Sequence, residues 1–147
     1  MVDASHLLLV HFILEARAGS TLVGVPKSAL RAQLLEAAEA IDVTVLAAEF
    51  EPDHGHIFAA IKPSQTVDFV WKRLKSGLSK PLIASGALPT GFGWKAGGVR
   101  AYSVSASKAH RVAEYIHGQS ERHSAMSLEE ELAELERRHG AAATGLA

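Results

Sequence analysis

The sequence contains no cysteine, which excludes disulfide bridges, thiolate metal sites and cysteine nucleophiles. Only 6% of the 147 residues are aromatic, and the longest apolar run, residues 7–14, is interrupted by His11 and is too short to cross a bilayer. That run also lacks the basic flank and the small-residue cleavage site of a secretory signal. We therefore expect a cytoplasmic chain with no membrane contact, whose chemistry depends on histidine, carboxylate, hydroxyl and amide groups.

The sequence also lacks a large excess of either charge. Its net charge is -1 at pH 7, so a general attraction to phosphate is absent. Basic residues nevertheless concentrate in the middle of the chain, and acidic residues crowd its end. The basic set is Lys72, Arg73, Lys75, Lys80, Lys95, Arg100, Lys108 and Arg111, and the acidic set is Glu129, Glu130, Glu131, Glu134 and Glu136. Any nucleic-acid-binding surface is therefore expected to be local and to use the middle of the chain.

Hydrophobic patterning predicts alternating strands and helices. Apolar runs predict strands at 6–15, 43–50, 54–61 and 99–105, and helical spacing predicts helices at 26–40, 67–78 and from 107 to about 123. A capping box at 127–130 predicts a last acidic helix, and the Gly/Pro/Ala-rich stretch 85–98 predicts a mobile loop.

The order of these elements is typical of an α+β, ferredoxin-like (RRM-like) fold, in which an antiparallel sheet carries helices on one face. Here two C-terminal helices follow. The length favours a single domain, which we place at residues 1–140, and the Ala/Gly-rich residues 141–147 are expected to be a disordered tail.

Two histidines separated by one residue, His54 and His56, lie in the third predicted strand. Residues two apart in a strand project from the same face, so both imidazoles can bind one cation. The alternative is a pair of solvated or structurally satisfied histidines. A histidine-triad hydrolase would need a third histidine at position 58, where this sequence has Phe58.

Tyr115 and Gln119 lie one helical turn apart, and Arg111 precedes them on the same side of the predicted helix. The apolar side of that helix is formed by Ala109, Val112, Ala113 and Ile116. Tyr115 is thereby assigned to the polar side, where core packing does not explain it. The alternative is an amphipathic surface tyrosine.

Lys72, Arg73 and Lys75 lie on or near the polar face of the second predicted helix. Such a face could follow a phosphate backbone, and the alternative is an ordinary solvated face.

Together these motifs resemble the single-tyrosine transposases of the HUH endonuclease superfamily, a group that includes the REP-associated tyrosine transposases. The resemblance covers residues 51–140 and depends on order and spacing as well as on single motifs. It consists of Pro52-Asp53-His54-Gly55-His56, Lys62-Pro63-Ser64, Leu74-Lys75-Ser76, Trp94, Ala101-Tyr102-Ser103-Val104-Ser105, Tyr115-Ile116-His117-Gly118-Gln119, Glu121-Arg122-His123 and Ser127-Leu128-Glu129-Glu130.

The resemblance implies a metal-dependent enzyme that cleaves and rejoins single-stranded DNA at hairpin-marked element ends. By resemblance, His54, His56 and Gln119 bind a divalent cation, Mg or Mn, and Tyr115 forms a covalent 5′-phosphotyrosine bond. Lys72, Arg73, Lys75 and Arg111 are the candidate nucleic-acid-binding residues. The resemblance also implies a homodimer in which the active sites are shared between subunits.

The sequence departs from the family pattern at Gly55, where a bulky apolar residue is usual. Loss of that side chain predicts looser packing behind the histidines. One rival function is therefore a catalytically reduced or domesticated relative that binds DNA hairpins without cutting them. Another is a metal-binding or ligand-binding ferredoxin-like domain unrelated to nucleic acid.

Overall fold

The computed structural model describes residues 7–118 and 127–135 of the chain. These residues belong to two compact units, one ending at His117 and the other following it. The predicted tail at 141–147 lies outside the described residues, and a single domain ending at residue 140 stays a prediction.

The first unit contains a sheet and the helices that cover it. Its elements are β1 (Leu8–Glu15), α1 (Lys27–Ala40), β2 (Thr44–Glu51), β3 (His54–Ile61), α2 (Val67–Ala84), β4 (Ala101–Val104), a 3-10 turn (Ala106–Lys108) and α3 (Ala109–His117). The strands are antiparallel in the order β2-β3-β1-β4. This confirms the predicted ferredoxin-like α+β fold. The predicted third helix was expected to reach about residue 123, and the part from 119 to 123 lies outside the described residues.

The two faces of the sheet are covered by different helices. On one face Phe12, Leu34 and Leu74 are fully buried in a large core shared with α1 and α2. On the other face Ile116 of α3 is fully buried against Leu9, Ala47 and Phe58. Burial on both faces explains why β1 reads as a nearly continuous apolar run instead of an alternating one.

Helices α1 and α2 approach each other closely at Gly77. A Cβ atom on Gly77 would lie 2.7 Å from the Cβ of Ala37, so a side chain there would require α1 to move. The nearby Pro81 has no N–H to donate to the Gly77 carbonyl one turn earlier. Gln33 Nε2 of α1 donates to that carbonyl at 3.2 Å, which satisfies the freed acceptor and helps α2 continue to Ala84.

The segment 85–98 is irregular, as predicted, but it is attached to the end of β1. The Arg17 N–H donates to the Gly93 carbonyl at 2.9 Å, and the Lys95 N–H donates to the Glu15 carbonyl at 2.8 Å. Leu88 and Phe92 are buried in the main core. The mobile loop was predicted from the Gly, Pro and Ala content alone. Leu88 and Phe92 are apolar anchors that this prediction did not consider.

The second unit contains a helix at 128–135, as predicted. Ser127 Oγ accepts a hydrogen bond from the Glu130 N–H at 3.2 Å, and Glu130 Oε1 accepts one from the Ser127 N–H at 3.3 Å. These reciprocal bonds are the predicted capping box. Within the described residues, no helix is both long and apolar enough to cross a membrane.

Candidate active site

His54 and His56 begin β3 and project from the sheet face that α3 covers. Both side chains are fully buried, and their ring centroids lie 5.0 Å apart. His54 Nδ1 lies 2.6 Å from Asp53 Oδ1, an ion pair if the imidazole is protonated and a charge-assisted hydrogen bond if it is neutral. Asp53 therefore fixes the orientation of the His54 ring.

His11 is a third histidine at this site, and no role was predicted for it from the sequence. It lies on β1, diagonally across from His56, because Phe58 is its direct partner in the strand register and Ile13 is the partner of His56. His11 Nε2 is 2.7 Å from His56 Nδ1, and the side chain is buried. One feature of the sequence could have indicated its importance: His11 is a polar residue that interrupts an otherwise apolar and buried strand.

The donor set suits a divalent cation. Asp53 engages Nδ1 of His54 and His11 engages Nδ1 of His56, so Nε2 is the nitrogen with which each ring could coordinate. Neutral imidazole nitrogens held by a second hydrogen bond are common ligands of transition ions such as Mn. The third predicted ligand, Gln119, lies outside the described residues.

Tyr115 lies beside the histidines of its own chain. Its ring centroid is 6.0 Å from that of His56 and 6.1 Å from that of His11. Burial of Ile116, the next residue, holds α3 against the sheet and directs this part of the helix toward β3. Tyr115 is partly buried against the same cluster as Ile116, so it lies at the margin of the apolar face and not on a wholly polar side as predicted.

The other tyrosine, Tyr102, is a strand residue, as expected. It lies in β4 directly opposite His11, is buried, and has its ring centroid 6.2 Å from that of His11. Burial lowers the pKa of Arg100, but hydrogen bonds and charge attraction from Tyr102 and Glu15 outweigh burial and raise it. Tyr102 and Glu15 together hold the Arg100 side chain where β4 meets β1.

Phe50 compensates for the unusual Gly55. A Cβ atom on Gly55 would lie 2.7 Å from ring atoms of Phe50, the residue directly opposite it on β2. The buried ring therefore occupies the space that a larger residue at position 55 would fill. The expectation of looser packing behind the histidines is wrong, because an adjacent strand supplies the missing volume.

The predicted nucleic-acid-binding residues lie on opposite faces of the sheet. Lys72, Arg73 and Lys75 are on α2, across the sheet from the histidines, whereas Arg111 is exposed on the same helix as Tyr115.

The three cations on α2 have neighbours of their own. Lys72 forms an ion pair with Asp68 at 2.9 Å, and the Lys75 ammonium lies 3.3 Å from the ring centroid of Trp71. Burial, followed by the charge of Lys72, lowers the pKa of Lys75, while Asp68 acts in the opposite direction. The Arg73 guanidinium lies 5.2 Å from the ring centroid of Phe69.

Comparisons with known proteins identify relatives of this fold and sequence. The profile of the family described as "Transposase IS200 like" matches residues 4–119. No curated protein matches. A protein from Deinococcus radiodurans R1 described as a transposase is 17% identical, with a TM-score of 0.55, over 81% of this chain and 95% of that one. A REP-associated tyrosine transposase bound to a REP hairpin is 15% identical, with a TM-score of 0.59, over 84% of this chain and 74% of that one. At these identities the two solved structures support a shared fold.

Proposed function

Because this chain belongs to the IS200-like transposase family, we propose that it is a metal-dependent transposase that cleaves and rejoins single-stranded DNA through Tyr115. The observation that carries the proposal is the position of Tyr115, whose ring lies 6.0 Å from that of His56 in the same chain. A nucleophile and a candidate metal site are thereby adjacent, as transfer of a phosphoryl group requires.

In the proposed reaction the Tyr115 oxygen attacks the scissile phosphorus and the bond from phosphorus to the 3′ oxygen breaks. A 5′-phosphotyrosine bond forms, and the released 3′ oxygen takes up a proton that balances the one lost by the phenol. Attack by a 3′-hydroxyl on this bond reverses the chemistry and joins a new strand. The energy of the broken phosphodiester is retained, so no nucleotide cofactor is required.

We assign the metal ligands to His54, His56 and Gln119. A divalent cation at that position, Mg or Mn, would polarise a phosphoryl oxygen and orient the phosphate for in-line attack. The chain's own contribution is to hold both imidazoles in a buried, fixed arrangement through Asp53 and His11. Fixed ligands lower the cost of organising the site when DNA binds.

The proposed substrate is a DNA hairpin with a single-stranded flank. Arg111 is exposed on α3 and would contact the phosphates near the cleavage point. Lys72, Arg73 and Lys75 lie across the sheet, so they would contact a more distant part of the backbone. Since the net charge is -1, these contacts should be few and the affinity weak, and the salt dependence of binding should be correspondingly shallow.

The test is incubation of the purified protein with hairpin oligonucleotides from its own genomic flanks, with Mn or Mg, followed by denaturing electrophoresis. We expect an adduct that survives denaturation and disappears with EDTA or in Tyr115→Phe. Tyr102→Phe is the matched control, because Tyr102 is the only other tyrosine and should leave the adduct in place.

Two results would contradict the proposal. An adduct that persists in Tyr115→Phe would place the nucleophile elsewhere. Hairpin binding without any adduct would favour the catalytically reduced relative. That alternative was based on Gly55, and the packing of Phe50 against Gly55 gives no reason to prefer it.

A further inference from the structure

His11 occupies a position that an apolar side chain would be expected to fill. It lies in the middle of β1 between apolar neighbours and is 4% exposed. Burying a polar ring at such a position costs free energy unless the ring is hydrogen-bonded. Its Nε2 lies 2.7 Å from Nδ1 of His56, on the adjacent strand.

The contact couples the tautomers of the two rings. Between two neutral imidazoles, one nitrogen must donate and the other must accept. If His56 is to coordinate through Nε2, that nitrogen keeps its lone pair and the proton is on Nδ1. The His56 Nδ1–H then donates to His11 Nε2, and His11 carries its own proton on Nδ1.

We propose that His11 is a positioning residue that selects the tautomer and orientation of His56 needed for metal coordination. The inference rests on the proposed function, because it assigns His11 to the same metal site. His11 would do for His56 what Asp53 does for His54, with a neutral acceptor in place of a carboxylate. Partners of this kind raise the metal affinity of a histidine ligand about 10- to 100-fold.

The experiment compares two substitutions in the full chain. His11→Phe keeps an aromatic ring and removes the acceptor, whereas His11→Gln can place an amide oxygen near the original position of Nε2. Long-range ¹H–¹⁵N NMR spectra of the metal-free proteins at pH 8 report the tautomer of His56. Titration calorimetry with Mn²⁺ reports the affinity of the site. Near-ultraviolet circular dichroism verifies that each variant is folded.

We expect wild-type His56 to carry its proton on Nδ1, with Nε2–H appearing in His11→Phe and disappearing again in His11→Gln. Mn²⁺ affinity should fall about 10- to 100-fold in His11→Phe and recover in His11→Gln. A purely structural role for His11 would not move the tautomer.

The proposal is overturned if wild-type His56 carries its proton on Nε2, or if its tautomer and Mn²⁺ affinity are unchanged in His11→Phe. The NMR measurement uses wild-type protein without metal, so it is decisive even if a variant fails to fold. The expected tautomer in a protein that forms no DNA adduct would support the positioning role of His11 and count against the proposed function alone.

Discussion

The ring of Phe50 restricts what position 55 can hold. We expect Gly55→Val to destabilise the protein by about 1–3 kcal/mol, because the new Cβ would overlap ring atoms that lie 2.7 Å away. Phe50→Ala alone should cost about 3–5 kcal/mol through the cavity it leaves. In the double variant the valine occupies part of that cavity, so the loss should be smaller than the sum of the two single losses. Urea unfolding of all four proteins measures these differences.

Gly24→Ala is the control for this prediction, since among the described residues other than its two chain neighbours no atom lies within 4 Å of a Cβ at that position. Single losses that add to within about 0.5 kcal/mol would show that the two positions do not interact and would contradict the compensation.

Some residues of the site could be predicted from the sequence and others could not. The pair His54 and His56 was predictable, because a spacing of two on a strand places both rings on one face. His11 was not, because its contact with His56 depends on a diagonal relation between β1 and β3 that only the strand register defines. Phe50 was missed for the same reason, since its relation to Gly55 crosses strands.

At the scale of elements, the packing of α1 on α2 leads to a prediction that opposes helix propensity. Alanine is favoured over glycine by about 1 kcal/mol in a helix, so Gly77→Ala would stabilise an isolated α2. In the folded protein the added Cβ would meet Ala37 Cβ at 2.7 Å, and such overpacking costs about 1–3 kcal/mol. We therefore expect the free energy of unfolding measured in urea to fall or to stay unchanged.

The matched control moves the methyl group from one helix to the other. Ala37→Gly combined with Gly77→Ala restores the close approach, so the double variant should be more stable than the two single changes predict. A gain of about 1 kcal/mol in Gly77→Ala alone would contradict the steric argument.

For the molecule as a whole, the order and spacing of elements sufficed to predict the sheet, because alternating strands and helices have few compact arrangements. The faces were harder to assign. Helix α3 covers the face opposite α1 and α2, and nothing in its own periodicity specifies which layer its apolar side joins. As a result, three of the four predicted DNA-binding cations lie across the sheet from the histidines.

The position of α3 bears on whether active sites are shared between subunits. Ile116 is fully buried against Leu9, Ala47 and Phe58 of its own chain, and Tyr115 lies beside its own His56. A shared site would require this buried contact to break and re-form on a partner. We therefore expect Tyr115 to act with the histidines of the same chain, whether or not the predicted homodimer forms.

Mixing two inactive variants tests this expectation. One carries Tyr115→Phe and the other His54→Ala with His56→Ala, so neither contains a complete site within one chain. The mixture should form no covalent DNA adduct under conditions in which the wild-type protein does. If the mixture recovers a substantial fraction of the wild-type yield, the tyrosine of one chain must act with the histidines of another. Helix α3 would then have to leave its own sheet, and hydrogen exchange at the α3 amides during the reaction would detect that release.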